Sequence, residues 1–139
     1  LYTAAVGYTG TIEITVPEPI TGTEADFAGG TTTYQTDASA LFVHSTAVGV
    51  DDASADLRTV DLSGDLRPFD ANNSFLMGAV DFDMPACTSE ASLPSPYGPG
   101  VELANCDIAW LPEGQEFGGV QFRPWTMPDY ENNPVVWTY

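Results

Sequence analysis

Thirteen glycines and eleven prolines interrupt this chain so often that no window of helical length, about 12 residues, keeps apolar side chains at i, i+3, i+4 and i+7. Glycine costs backbone entropy on folding and proline removes a hydrogen-bond donor, so both break helices. Between the breaks lie short alternating runs with abundant threonine, the pattern of strands half-buried against a core. The expected fold is all-β, a jelly-roll or immunoglobulin-like sandwich of about eight to ten strands. No internal repeat suggests a solenoid.

The expected strands are Tyr2–Tyr8, Thr11–Val16, Ile20–Phe27, Thr31–Thr36, Leu41–Val50, Leu57–Leu62, Ser74–Met84, Val101–Leu111, Phe117–Arg123 and Val135–Tyr139. Gly29-Gly30 reads as a hairpin turn, and "SGDLRPFDANN" reads as loop. Ser74–Met84 is the most convincing of the long ones, with Phe75, Met77, Ala79 or Val80, and Phe82 available to a core.

Twenty acidic residues stand against three arginines (Arg58, Arg67 and Arg123) and no lysine, for a net charge of −17. That balance excludes nucleic acid, whose phosphates need a cationic footprint, and gives no affinity for anionic membrane surfaces. Hydrophobic residues still make up 43% of the 139 positions, enough to build one core and to exclude a disordered chain. No run of about 20 apolar residues is present to span a bilayer, so membrane insertion is not expected.

Cys87 and Cys106 lie 19 positions apart, and the only histidine, His44, is distant in sequence. A metal site on the two thiolates would want further soft ligands, so a disulfide is the reading for the pair. A disulfide implies an oxidising compartment, hence an extracellular or cell-surface location. The start on Leu1 is expected of a processed, exported form.

Chemistry-bearing motifs are sparse. A hydrolytic triad would have to pass through His44, which sits in the alternating run "LFVHSTAV", and no nucleophile elbow occurs. Paired carboxylates for glycoside hydrolysis lack basic and polar partners to orient a sugar. The chain is therefore not expected to be an enzyme, and no cofactor is implied beyond a structural calcium. For that ion the candidate ligands are Asp51 and Asp52 in "VDDASAD" and Asp81 and Asp83 in "VDFDM", since hard cations take oxygen ligands. Neither stretch matches an EF-hand loop. Asn72-Asn73-Ser74 is a sequon in a loop context, which makes Asn72 the glycosylation candidate and glycans potential partners. Trp110, Trp125, Trp137, Tyr97, Tyr130 and Tyr139 serve either a core or a sugar-stacking platform.

The N-terminal segment "LYTAAVGYTGTIEITV" places Ile12, Ile14 and Val16 on one face of a strand and Thr11, Glu13 and Thr15 on the other. Pro17-Glu18-Pro19 follows. Proline holds its predecessor extended and donates nothing to a ladder, so the triplet reads as a stiff spacer. The expected layout is a donor-strand arm with its spacer over residues 1–19 and a β-sandwich over 20–139. Val6, Tyr8, Ile12, Ile14 and Val16 are the residues expected to bind a neighbour's open sheet. Donor and acceptor surfaces differ, so the contact is heterologous and, repeated head to tail, gives an open helical filament whose partner is the same chain.

This layout resembles the donor-strand pilins: chaperone–usher pilins, archaeal bundling pili and similar extracellular filament subunits, in which an N-terminal extension precedes a disulfide-bearing sandwich. The aromatic terminal "VVWTY" is similar to many pilin ends, while the cysteine pair lies later than in chaperone–usher pilins. The resemblance implies a structural homopolymer whose N-terminal strand completes the next subunit. The competing readings are a secreted acidic binding module for carbohydrate or calcium, and a viral capsid or fibre subunit.

Overall fold

In chain order the strands are β1 (Tyr2–Thr3), β2 (Thr11–Thr15), β3 (Ile20–Gly22), β4 (Ala38–Gly49), β5 (Leu66–Asp70), β6 (Met77–Ala79), β7 (Glu102–Pro112), β8 (Phe117–Phe122) and β9 (Val135–Trp137). Two short helices, α1 (Leu62–Asp65) and α2 (Pro128–Asn132), accompany them. The computed structural model describes residues 2–3, 10–57, 62–89, 98–124 and 127–139.

The strands form two antiparallel sheets. The larger has the order β1-β2-β4-β7-β6, with β3 also paired to β4, and the smaller the order β5-β8-β9. The spine of the larger sheet is the β4–β7 ladder, which runs from Ala38↔Pro112 to Val48↔Glu102.

The larger sheet carries a core on each face. On one face Leu41, Val43 and Ala47 of β4 join Ile12, Ile14 and Val16 and pack against Leu66, Val120 and Phe122 of the smaller sheet. On the other, Ala40, Phe42, Ile108 and Trp110 lie beneath Phe27, Met84 and Cys87. Ala40–Val43 is consequently buried without interruption, whereas the second half of β4 alternates. A strand covered on both sides reads as a continuous apolar run for this reason. Each large side chain so buried contributes about 1.5–3 kcal/mol.

The outer cover is built locally. A 3-10 turn over Glu24–Phe27 is capped where the Thr23 N–H and hydroxyl both donate to Asp26 Oδ2 at 2.7 Å. The turn sets Phe27 on Trp110, ring centroids 5.4 Å apart. The Cys87–Cys106 disulfide, Cα atoms 5.1 Å apart, ties the 80s segment to β7; the bridge expected from the spacing is present.

Several expected strands differ. Thr31–Thr36 is not a strand because the Thr31 and Thr32 N–H groups are taken by Asp81. "LRPFD", expected as loop, is β5; Pro68 is tolerated there because its edge toward Ser74–Leu76 needs only an acceptor, its carbonyl receiving the Leu76 N–H at 2.9 Å. Of the long strand expected over Ser74–Met84, Ser74–Leu76 runs beside β5 and only Met77–Ala79 joins β7, so the chain changes sheet there. Leu57–Leu62, expected as a strand, is a 3-10 turn ending at Leu57 and α1 starting at Leu62, with 58–61 outside the described residues. α2 begins on Pro128, whose missing N–H costs nothing in a first turn.

Candidate assembly site

β2 was expected to stand apart from its own domain; in the single chain it lies in the larger sheet. Its register on β4 runs from Ile12↔Gly49 to Thr15↔Thr46. Ile12, Ile14 and Val16 are buried in the core between the sheets, and Glu13 and Thr15 face out. The face assignment read from the alternation is thus the one the strand adopts.

Beyond the Pro-Glu-Pro triplet the chain stays on the same edge of β4. β3 pairs Ile20↔Phe42, Thr21↔Leu41 and Gly22↔Ala40. Residues 16–19 therefore oppose only 43–45, so one residue is extra and the interruption has the form of a bulge. The added residue reverses parity: even-numbered residues of β2 face the inner core, while Ile20 of β3 points outward and is exposed. The triplet is an interruption within one edge because prolines supply no ladder donors while the flanking runs retain theirs.

Both ends of β2 are fastened. At its start the Thr11 N–H donates to Asp51 Oδ1 at 3.2 Å, and the Thr11 carbonyl accepts from Val50 N–H at 3.0 Å and Ser54 Oγ at 2.7 Å. Ser54 is fully buried, and a side chain at Gly10 would strike the Ala53 carbonyl, so glycine is required at this crossing. The hydrogen bonds with Thr11, against a smaller push from burial, hold the Asp51 carboxyl below the usual carboxylate range. At the other end the Tyr139 hydroxyl donates to the Val16 carbonyl at 2.9 Å, and its ring stacks on Phe117. Burial, and then the Glu18 carboxylate, push the Tyr139 phenol up to about 12.

Val6 and Tyr8, the other residues expected in the donor strand, lie outside the described residues, as do Tyr97, Trp125 and Arg58. Trp110 is core, and Tyr130 packs edge-on against Phe122; neither is on an open platform.

The candidate calcium ligands do not converge. Asp51 is committed to Thr11. Asp81 is buried, its Oδ2 accepting the N–H groups of Thr31 and Thr32 at 2.7 Å and its Oδ1 that of Asp83 at 3.0 Å. Burial pushes its carboxyl up, but those donors outweigh the push and hold it at about 2. Asp52 and Asp83 are exposed. Among the described residues no group of three or more metal-ligating side chains forms.

Asn72 is exposed on the turn after β5, where Asp70 Oδ1 accepts the N–H groups of Asn72 and Ser74 at 2.8 and 2.9 Å. The sequon is thus presented at the surface. His44 stands beside the disulfide, Nε2 3.8 Å from Cys106 Sγ.

Three features were not anticipated: the Asp51–Ser54 clasp, the Tyr139 tie, and a cleft of about 540 Å³ between β5 and β6. The clasp had a signal in "DDAS", an acidic residue followed three positions later by a hydroxyl after a strand. The other two join distant segments and had none. No helix of the described residues is long and apolar enough to cross a membrane. The fold and site define an acidic, disulfide-bearing, two-sheet all-β domain in which β2, between β1 and β4, is clasped at both ends. Comparison with protein-family models, with curated proteins and with solved structures returns no match.

Proposed function

We propose that this chain is a structural subunit of an extracellular filament, a jelly-roll or immunoglobulin-like sandwich that polymerises head to tail by lending β2 to the next copy. The observation that carries the reading is the construction of that strand. β2 and the residue after it place Ile12, Ile14 and Val16 in the core, yet the next paired residue along the chain lies beyond a Pro-Glu-Pro break. A β2 inserted from a neighbour makes the same contacts as the chain's own, so exchange costs only the opening of the break and of the two clasps. The prolines hold the break extended, a form that serves equally a β2 lying in its own sheet and one reaching a neighbour's. Each copy that gives a strand has a slot to receive one, so a head-to-tail series continues from copy to copy, whereas reciprocal exchange between two copies would stop at a dimer. The disulfide suits an oxidising exterior, and surface glycans fit the exposed Asn72.

The test uses Glu13 and Val48, directly opposite each other in the β2–β4 register. A Glu13→Cys, Val48→Cys variant, assembled and then oxidised, should give a ladder of covalent oligomers on a denaturing gel, with filaments in negative stain. Cross-linked monomer alone under all assembly conditions, together with a stable monomeric product on deleting residues 1–16, refutes the proposal. A secreted binding module, the second reading, has the cleft beside Arg67 in its favour.

A further inference from the structure

The cleft between β5 and β6 opens where the chain changes sheet. Its walls are Leu66, Pro68, Leu76, Val80 and Ile108, with Ser63 and Asp107 among its polar lining. Phe75 and Val80 on its rim are 46% and 45% exposed, and Met77 beside it is 71% exposed. At about 540 Å³ it falls within the size range of small-ligand sites.

Arg67 also lines this cleft. In a protein with 20 acidic residues, its guanidinium lies over the Phe75 ring, 5.8 Å from the centroid, with no hydrogen bond or ion pair among the described residues. A guanidinium carries five donors in a planar fork suited to a carboxylate, and the aromatic face beneath it leaves the edge of the fork available. The lining is therefore largely apolar, with a cation, Arg67, on one wall and Asp107 and Ser63 among its polar groups.

We propose that this cleft binds small amphiphilic carboxylic acids, the apolar body against Leu66, Leu76, Val80 and Ile108 and the carboxylate on Arg67. The site is independent of strand exchange: none of its residues belongs to β2 or to the break after it.

The net charge makes the test sharp, because non-specific binding to a chain at −17 selects cations. Octanoate, octanol and octyltrimethylammonium are titrated separately into the native protein and followed by amide chemical shifts. Octanoate should bind saturably, with shifts concentrated on residues 63–68 and 75–80, and octyltrimethylammonium should not compete. Arg67→Gln should weaken octanoate about tenfold or more and leave octanol unchanged, while Arg67→Lys, which keeps the charge and loses the fork, should restore part of the affinity. The proposal fails if the cationic amphiphile binds the cleft as well as octanoate does. It also fails if a folded Arg67→Gln protein binds octanoate as before, or if the shifts spread over the whole surface.

Discussion

Asp81 is a buried carboxylate kept ionised by backbone N–H groups rather than by a cation. It gathers Thr31, Thr32 and Asp83, and a Cβ on Gly30 would come within 2.7 Å of its Oδ2. Asp81→Ala strands those donors and should cost about 2–4 kcal/mol in denaturant unfolding. The sign of the pH dependence follows from the folded pKa of about 2, below the ordinary aspartate value of 3.8. The stabilisation is complete above about pH 4 and is lost as pH falls toward 2. Asp81→Asn should lack that acid limb, so the two proteins' stabilities converge below pH 2; a constant difference from pH 6 to 2 would refute the assignment. In the sequence, "VDFDM" presents two equivalent acids. Nothing in the spacing marks Asp81 as the buried one, because Thr31 and Thr32, which bind its Oδ2, are about 50 residues away.

The segment from β2 to β3 makes the element-scale case. Alternation in "TIEIT" was enough to identify which side chains are buried, because period two is a local property. It was not enough to identify the neighbour: that depends on β4 being long enough to pair with β2 and β3 on one edge. β5 was missed for a related reason. "LRPFD" lacks alternation and contains a proline, and only the partner β8 and the crossing residues 74–76 stabilise it as a strand. The bulge yields a prediction. Deleting Glu18 removes the extra residue and forces either β2 or β3 to present the wrong face, so it should destabilise the fold by several times the effect of Glu18→Gln, a surface change within about 0.5 kcal/mol. Equal melting temperatures for the two variants would show that the extra residue does not set the register.

For the whole molecule, the governing quantity is charge. A surface at −17 repels itself and its copies, and the range of that repulsion shrinks from about 30 Å at 0.01 M salt to about 8 Å at 0.15 M. The unfolding midpoint should therefore rise with salt over that interval, and the proposed assembly should strengthen in parallel; calorimetry and light scattering read the two effects. A midpoint unchanged by salt would mean that the acidic surface is already neutralised locally. All-β character and the disulfide were legible in the sequence because they rest on composition and cysteine count. The division into two cores was not, because it depends on which loops lie over the larger sheet.

That division has a consequence for how the molecule opens. Phe27, Met84 and Cys87 on one side and the smaller sheet on the other share β4 and β7 as a common wall. Reducing Cys87–Cys106 removes a link worth on the order of 3 kcal/mol, and it acts on the outer cover alone. Under mild reduction, amide hydrogen exchange should accelerate first over residues 23–37 and 80–89, as a sub-global opening. The amides of β4 and β7 should exchange slowest of all, since either core alone still protects them.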